Sequence, residues 1–333
     1  MPKLLTEAEV RASLTMPALI DAMEGALTAF SAGRVTQPVR TVLEVGTDKN
    51  YFGVMPASFD DEQAVGAKLV TVYHGNHSLG LTSHLATIIL LDHATGALVA
   101  LVDGRYITEA RTAAVSAVSV RHLANTDASV LAIIGSGVQA RSHLEAIRHV
   151  RDIKEVRVWS PTAANRESFV KEQQAATRLR QGSGGPVGET IRACTTASEA
   201  AHGASIIVLA TSSRTPVIDS VDVADGAHIC AVGACRPDQR EMESALFARA
   251  RVFVDSRAAA FTEAGEVLIP LGEGCISESH VLGELGQVIS GTIPGRTHPK
   301  DVTIFKSLGL AVEDLIAAKL AVANARNARE FTL

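Results

Sequence analysis

A glycine-rich turn between a predicted strand and a predicted helix is the first feature of this sequence that could carry chemistry. Five apolar residues, Val130–Ile134, predict a buried strand, and a G-x-G-x-x-A turn follows directly. In such a turn Gly135 permits the tight bend, Gly137 lets the backbone approach a pyrophosphate, and Ala140 allows close packing of helix on strand. A second apolar strand, 156–159, follows at the spacing of a βαβ unit. The pattern predicts a dinucleotide site at a helix N-terminus, although a purely structural turn would have the same two glycines.

Three basic residues in the first third of the chain lie within apolar segments. Arg40 is in QPVRTV, Lys68 in GAKLVTV and Arg111 in TEARTAAVSAV. A buried cation is costly unless it meets an anion, so each could pair with an internal carboxylate or extend to the surface. Three such cations in a region with few acidic strand residues also fit a pocket that binds a carboxylate. Composition leaves both interpretations open.

The order of the predicted elements divides the chain into two regions. The first has five predicted strands and a mostly antiparallel sheet: 39–45, 51–55, 67–73, 85–91 and 97–102. The second, from 126, alternates strand and helix as a doubly wound parallel sheet does. An amphipathic helix near 310–319 is expected to return to the first region. The fold class is therefore α/β, with a Rossmann sheet over 126–304 inserted in a split α+β domain over 1–125 and 305–333.

Composition excludes several classes of protein. The net charge of −5 and the absence of a long basic run argue against nucleic acid as a partner. No apolar run approaches the roughly 20 residues of a membrane span, and the N-terminus lacks a signal-peptide pattern, so we expect a cytoplasmic protein with no membrane partner. The four cysteines form no C-x-x-C pair, so we expect free thiols and no metal site.

The chain resembles the ornithine cyclodeaminase/μ-crystallin family over nearly its whole length, and most closely its μ-crystallin-like ketimine reductases. The resemblance is carried by ordered blocks: QPVRT (37–41), GVMPA (53–57), KLVT (68–71), DGRYITEARTAAVSA (103–117), GSGVQARSH (135–143), AVGACRPDQRE (231–241), VFVDSRAAA (252–260), GELGQVISG (283–291) and FKSLGLAVED (305–314). It implies a Rossmann domain beside a substrate-binding and dimerisation domain whose sheet continues into a partner subunit, and hence a homodimer.

The same resemblance implies roles for residues at matching positions. Arg40, Lys68 and Arg111 would be the catalytic set that binds the substrate carboxylate, with Glu263 near the substrate. The implied cofactor contacts are Ser83, His84, Arg111, Thr112, Gly135, Ser136, Gly137, Val138, Gln139, Thr211, Ser212, Val232 and Ser307. His84 could equally be a core histidine with both nitrogens satisfied.

Two departures from the family's patterns bear on activity and cofactor. Cyclodeaminases resemble GGD where this chain has 233–235 GAC, and a thiol at Cys235 is a weaker acid than the missing aspartate. Where the μ-crystallin pattern reads Asn-Arg-Thr, this chain has 160–162 SPT, with no acidic residue to repel a 2′-phosphate. We therefore expect NADPH to be used at least as well as NADH. The side chains that could hold the phosphate are Ser160, Thr162, Asn165 and Arg166.

Together these features predict an NAD(P)H-dependent reductase of cyclic imino acids. Its substrates would be Δ1-pyrroline-2-carboxylate, reduced to L-proline, and Δ1-piperideine-2-carboxylate, reduced to L-pipecolate. Three alternatives stay open: an alanine-type amino-acid dehydrogenase, an ornithine cyclodeaminase, and a crystallin-like protein that binds a cofactor or small ligand without turnover. Three cations able to clamp a carboxylate argue against the last of these, since a passive binder has no need of such a clamp.

Overall fold

The chain passes from one folded unit into a second and back again. The computed structural model describes residues 1–48, 50–182, 188–326 and 328–332. Unit 1 comprises Met1–Val115 and Gly309–Leu333, and unit 2 is Ser116–Leu308. The crossings therefore lie at 115/116 and 308/309, whereas the sequence placed them at 125/126 and 304/305. The first crossing is inside a helix, because the C-terminal half of that helix, including Val120, packs in the core of unit 2.

In the described residues the strands are β1 (Lys3–Leu5), β2 (Val35–Thr36), β3 (Thr41–Val45), β4 (Asn50–Phe59), β5 (Ala64–Val72), β6 (His84–Asp92), β7 (Leu98–Asp103), β8 (Val130–Ile134), β9 (Glu155–Trp159), β10 (Thr190–Ala193), β11 (Ile206–Leu209), β12 (His228–Ala231), β13 (Arg251–Val254), β14 (Val281–Glu284), β15 (Thr303–Lys306) and β16 (Arg329–Glu330). The α-helices are α1 (Glu7–Ser13), α2 (Met16–Ser31), α3 (Arg105–Leu123), α4 (Val138–Arg148), α5 (Ala163–Gly182), α6 (Ala197–Ala201), α7 (Ser244–Arg249), α8 (Arg257–Glu263), α9 (Gly265–Gly272), α10 (Leu285–Ile289) and α11 (Ala311–Asn324). Among these helices none has the length and apolar character that crossing a bilayer requires.

Unit 1 is built on an eight-stranded sheet in which β4 to β7 form an antiparallel meander, as the sequence predicted. Buried and partly exposed residues alternate along β5, since successive side chains point to opposite faces of a sheet. The buried face lies against α11, where Leu315 approaches Gly66. The same alternation carries Lys68, two residues further along, into the interior. A charge therefore enters the core of unit 1 as a direct consequence of strand periodicity.

Unit 2 is an eight-stranded parallel sheet with the order β10-β9-β8-β11-β12-β15-β13-β14. Its first five positions follow the 3-2-1-4-5 order of a doubly wound nucleotide-binding fold. Alternate residues of β8 belong to separate cores: Ala132 and Ile134 pack with α6 to α9 on one face, and Leu131 and Ile133 pack with α4 and α5 on the other. Both faces are therefore covered by helices, which explains why these strands are continuous apolar runs.

The turn between β8 and α4 contains two glycines that meet different constraints. Gly135 has φ +129°, and a Cβ there would lie 2.4 Å from the carbonyl oxygen of Ala210. No atom lies within 4 Å of the position that a Cβ on Gly137 would occupy. Ala140 is fully buried against the sheet. Folding therefore requires glycine at 135, while the open space above 137 has no role in packing.

We predict that Gly135→Ala lowers the free energy of unfolding by on the order of 2 kcal/mol or more, because it combines a strained φ with a clash against backbone. Gly137→Ala is the matched control. Its φ of −81° suits any residue, so its stability should stay within about 1 kcal/mol of wild type. Urea unfolding followed by circular dichroism measures both, and equal losses for the two variants would contradict the assignment.

Candidate functional site

A buried cluster of charged side chains lies where β5, α3 and α11 meet in unit 1. Lys68 and Arg111 are only 2% and 4% exposed. Lys68 Nζ lies 2.6 Å from Asp314 Oδ2, and Arg111 Nε lies 2.9 Å from Asp314 Oδ1. Arg111 Nη1 also donates to Glu313 Oε2 at 2.8 Å. Lys68 and Arg111 are thus paired with internal carboxylates, which is the simpler of the two interpretations that the sequence allowed.

The backbone that enters α11 completes this cluster. Arg40, in the loop before β3, donates from Nη2 to the carbonyl oxygen of Gly309 at 3.2 Å. Gly309 has φ +86°, and a Cβ there would lie 2.2 Å from Arg111 Nη1, so the chain passes directly against that guanidinium. Glu313 and Asp314 lie in the first turn of the helix, where the helix dipole favours acidic side chains. The structure therefore brings Arg40, Lys68 and Arg111 together around one helix N-terminus.

Burial and the neighbouring charges together set the ionisation of this cluster. Burial lowers the pKa of Lys68 to about 8, although Asp314 opposes the shift. Burial alone would raise the pKa of Asp314, but Arg111 and Lys68 hold it below its ordinary value. At neutral pH Lys68 is therefore mainly cationic and Asp314 is ionised, and the three cations gathered here suit a bound carboxylate.

His84 is the first residue of β6 and lies opposite Val72 in the sheet of unit 1. Burial, and then the charges of Lys68 and Arg111, lower its pKa to about 4. The imidazole is consequently neutral at pH 7 and adds no charge to the cluster. Of the neighbouring residues implied as cofactor contacts, Ser83 accepts a backbone hydrogen bond from Tyr73, and the Thr112 hydroxyl donates to Thr108 in its own helix at 2.8 Å.

The remaining predicted cofactor residues lie along one edge of the parallel sheet of unit 2. The turn 135–140 follows β8, residues 160–166 follow β9 and begin α5, residues 211–212 follow β11, Val232 follows β12, and Ser307 follows β15. Carboxyl ends of parallel strands share an edge, and ligands of such sheets bind in the crevice outside it. The structure thus gathers these dispersed positions on one side of unit 2.

Side-chain contacts connect neighbouring positions along this edge. Ser136 Oγ donates to Ser160 Oγ at 3.0 Å, and Arg166 Nη1 donates to the carbonyl oxygen of Ser160 at 2.9 Å. Ser307 Oγ donates to Asp255 Oδ2 at 3.1 Å. The first two contacts place hydroxyl groups and a guanidinium together at the end of β9. This is the position from which such folds contact the adenosine ribose.

Sequence reasoning missed several charged residues at these sites. Glu313 and Asp314 stand inside an otherwise apolar helical stretch, AVEDLIAAK, and that break in the apolar pattern was a usable signal. A second buried group in unit 2, formed by Glu241, Glu266 and Lys306, was also missed, although Lys306 interrupts the apolar run IFKSL as Lys68 interrupts its own. Glu263, the predicted substrate residue, is the last residue of α8 in unit 2.

Comparison with known proteins identifies the family. Residues 1–329 match the model of the ornithine cyclodeaminase/mu-crystallin family. The chain belongs to this family. It is 42% identical to ketimine reductase mu-crystallin of Mus musculus over 323 residues, with 96% of each protein covered. The resemblance stated from the sequence is confirmed.

Two solved structures are similar over almost the full chain. The Thermococcus litoralis Δ1-pyrroline-2-carboxylate reductase, in complex with NADH and L-proline, has a TM-score of 0.91 and 35% identity, with 97% of each chain covered. An archaeal alanine dehydrogenase dimer with bound NAD has a TM-score of 0.90 and 30% identity, with 99% of each chain covered. The predicted fold class is confirmed by these neighbours.

We predict that Asp314→Asn lowers the free energy of unfolding by about 3–5 kcal/mol, because it leaves Lys68 and Arg111 buried without their shared carboxylate. Lys319 lies on the same helix as Asp314 and forms an exposed ion pair with Glu62. Glu62→Gln, which removes that exposed carboxylate, is therefore the matched control. Its effect should stay below about 1 kcal/mol. Denaturant unfolding at neutral pH measures both. If Asp314→Asn lowered the free energy of unfolding no more than the control did, Lys68 and Arg111 would not depend on the carboxylate of Asp314.

Proposed function

We propose that this protein is an NAD(P)H-dependent reductase of cyclic imino acids, converting Δ1-pyrroline-2-carboxylate to L-proline and Δ1-piperideine-2-carboxylate to L-pipecolate. The observation that carries the proposal is the grouping of Arg40, Lys68 and Arg111 around the N-terminus of α11, a set of cations that suits the single carboxylate of such substrates. The family and its ketimine reductase relatives support the same reaction.

Each cation of the cluster has a distinct task in this proposal. An arginine fork fixes both the position and the plane of a carboxylate, whereas a lysine acts as a point charge. Arg40 and Arg111 therefore orient the substrate carboxylate. Lys68 holds a proton on Nζ beside the bound anion and near the imine nitrogen. Asp314 is a positioning residue, since it keeps Lys68 charged in a buried place. Glu263 stays a proposed substrate neighbour on the basis of the resemblance alone.

Unit 2 has the features needed to hold the dinucleotide. The open space above Gly137 and the N-terminus of α4 suit a pyrophosphate, which accepts hydrogen bonds from unpaired backbone N–H groups. Residues 136–139 would bind the pyrophosphate. Other parts of the dinucleotide would be bound by residues 211–212, Val232 and Ser307. Ser83, His84, Arg111 and Thr112 are proposed contacts from unit 1. When bound, the reduced nicotinamide supplies the hydride that completes the reduction.

An absorbance assay at the reduced-nicotinamide band tests the proposal directly. It compares Δ1-pyrroline-2-carboxylate, Δ1-piperideine-2-carboxylate and pyruvate plus ammonia, each with NADH and with NADPH. We expect turnover with at least one cyclic imine. Activity only with pyruvate plus ammonia would make the protein an amino-acid dehydrogenase. Formation of proline and ammonia from ornithine would make it a cyclodeaminase, despite the cysteine at position 235.

The same assay tests the cluster itself. Arg40→Ala should lower kcat/KM for the imine by tens- to thousands-fold, equivalent to about 2–5 kcal/mol, and leave the Kd for NADPH within about twofold. Arg34→Ala is the matched control, because Arg34 is a half-exposed arginine of unit 1 paired with Asp61. If both variants kept near-wild-type kcat/KM, the carboxylate site would be misassigned.

We predict that substrate-like anions bind more weakly as the pH rises through about 8, because Lys68 then loses its charge. The depressed pKa sets the direction: below about 8 the lysine is cationic and attracts the anion. Affinity for pyrrole-2-carboxylate, which does not itself titrate near neutral pH, should fall about tenfold by about pH 9. Lys68→Met should bind weakly at every pH without this step. A step of the same size in Lys68→Met would assign the titration to another group.

We infer that NADPH is accepted at least as well as NADH, because hydroxyl groups and a guanidinium rather than an acid lie at the end of β9. Arg166→Ala should weaken NADPH binding by about tenfold and NADH binding by less than about twofold. Lys171→Ala, an exposed cation on the same helix, is the control. Isothermal titration with both cofactors measures the effect. A strong preference of the wild-type protein for NADH would overturn this inference.

We propose that the protein works as a homodimer in which a second copy covers the outer face of the unit 1 sheet. Leu43 on β3 and Leu85 on β6 are 55% and 41% exposed, and the register Leu43–Phe52–Thr71–Leu85 places both on one face of the sheet. Leu43→Glu should shift the protein from dimer to monomer in sedimentation velocity. Leu282→Glu, at a leucine 41% exposed in unit 2, should not. A monomeric wild-type protein would refute the proposal.

A further inference from the structure

One buried carboxylate in unit 2 connects two neighbouring turns at the carboxyl edge of the sheet. Glu241 is fully buried. Its Oε1 accepts a hydrogen bond from Thr211 N at 2.6 Å, and its Oε2 accepts bonds from Gly233 N at 2.8 Å and Ala234 N at 3.2 Å. Thr211 follows β11, and Gly233 and Ala234 follow β12, its partner strand. A single side chain therefore sets the distance between the two turns.

The two turns lie very close together at Gly233. A Cβ on Gly233 would lie 2.2 Å from the carbonyl oxygen of Thr211 and 2.5 Å from Glu241 Oε1. Any other residue at 233 would push the turns apart or displace the carboxylate. The three backbone N–H groups all donate to one carboxylate. These hydrogen bonds fix the arrangement of the two turns, as hydrogen bonds to a bound anion would.

Two further buried charged residues, Glu266 and Lys306, lie next to Glu241. The Glu241 backbone N–H donates to Glu266 Oε1 at 3.2 Å, and Lys306 Nζ lies 3.3 Å from Glu266 Oε2. Lys306, the last residue of β15, also donates to the carbonyl oxygen of Ala234. Burial, and then the charge of Glu266, raise the pKa of Glu241 to about 7, while Lys306 opposes the shift. The carboxyl ends of three adjacent strands are thus connected in one buried polar network.

The order of the strands indicates which half of a dinucleotide would meet these turns. In doubly wound folds the pyrophosphate lies at the turn after the first strand, and the adenosine ribose lies toward the second. Here these strands are β8 and β9, and β11 and β12 lie on the opposite side of β8. The nicotinamide half would therefore extend over the turns that Glu241 connects.

We propose that Glu241 is a positioning residue for the nicotinamide half of the cofactor, acting through the backbone of Thr211, Gly233 and Ala234. This inference rests on the proposed function of unit 2 as the dinucleotide-binding unit. It deepens that proposal by naming a residue that does not contact the dinucleotide itself. The effect of changing it should therefore depend on whether the ligand carries a nicotinamide.

The test compares NADH with ADP-ribose, which has the same adenine half and pyrophosphate but lacks the nicotinamide. Glu241→Gln places an amide NH₂ against at least one backbone N–H, so a donor faces a donor. We expect the Kd for NADH to rise about tenfold or more, and that for ADP-ribose to stay within about twofold. Glu243→Gln is the matched control. Its carboxylate accepts from Ser220 N in a different loop, and neither Kd should change.

The outcomes separate this inference from the function on which it rests. If the wild-type protein bound neither NADH nor ADP-ribose, the proposed function would fail and the inference with it. If Glu241→Gln weakened the binding of both ligands equally, Glu241 would only support the fold. If neither Kd changed, Glu241 would have no role in positioning the cofactor.

A second measurement avoids the risk that the variant does not fold. In the wild-type protein, NADH should slow amide hydrogen exchange at 211–213 and 233–235, and ADP-ribose should not. Equal protection by both ligands would overturn the inference.

Discussion

The shared carboxylate of Asp314 is the interaction on which unit 1 depends. It lies between Lys68 of β5 and Arg111 of α3, at 2.6 Å and 2.9 Å, with both cations nearly inaccessible to solvent. Losing one partner of a buried pair is far more costly than losing an exposed one. The C-terminal helix must therefore return to the sheet formed by the first part of the chain. The insertion of unit 2 between the two segments of unit 1 is compatible with this, since only the ends of the insertion need to be close.

Stability alone does not explain the composition of this cluster. Apolar side chains of similar volume often replace buried ion pairs without loss of stability. Here three cations, Arg40, Lys68 and Arg111, are gathered at one helix N-terminus, and removing such charges from water is costly. The grouping is understandable if it serves to bind an anion, and the carboxylate of the proposed substrate is an anion of that kind.

Local patterns in the sequence identified much of the fold and the three cations that the structure brings together in unit 1. Periodicity located the meander of unit 1 and the β8 turn, because both follow from residues close together in sequence. The three cations were visible because each interrupts an apolar segment of the sequence. Their partners were not, since Arg111 and Asp314 are 203 positions apart and no local rule pairs them. The unit boundary inside α3 was missed for a related reason. The sequence of a helix indicates which face is apolar, but it does not indicate which of two cores that face packs in.

The two units use buried charge in different ways, and this difference fits their proposed tasks. In unit 1 the buried carboxylates Glu313 and Asp314 pair with side-chain cations, Lys68 and Arg111. In unit 2 the network of Glu241, Glu266 and Lys306 has two carboxyl groups for one ammonium, and it binds backbone N–H groups. A small carboxylate needs a localised charge to fix it, which arginine and lysine provide. A long dinucleotide needs a correctly shaped backbone edge, because turns and a helix N-terminus supply its hydrogen bonds. In unit 2 the charged side chains therefore act on the backbone, and the backbone is the surface that a dinucleotide would meet.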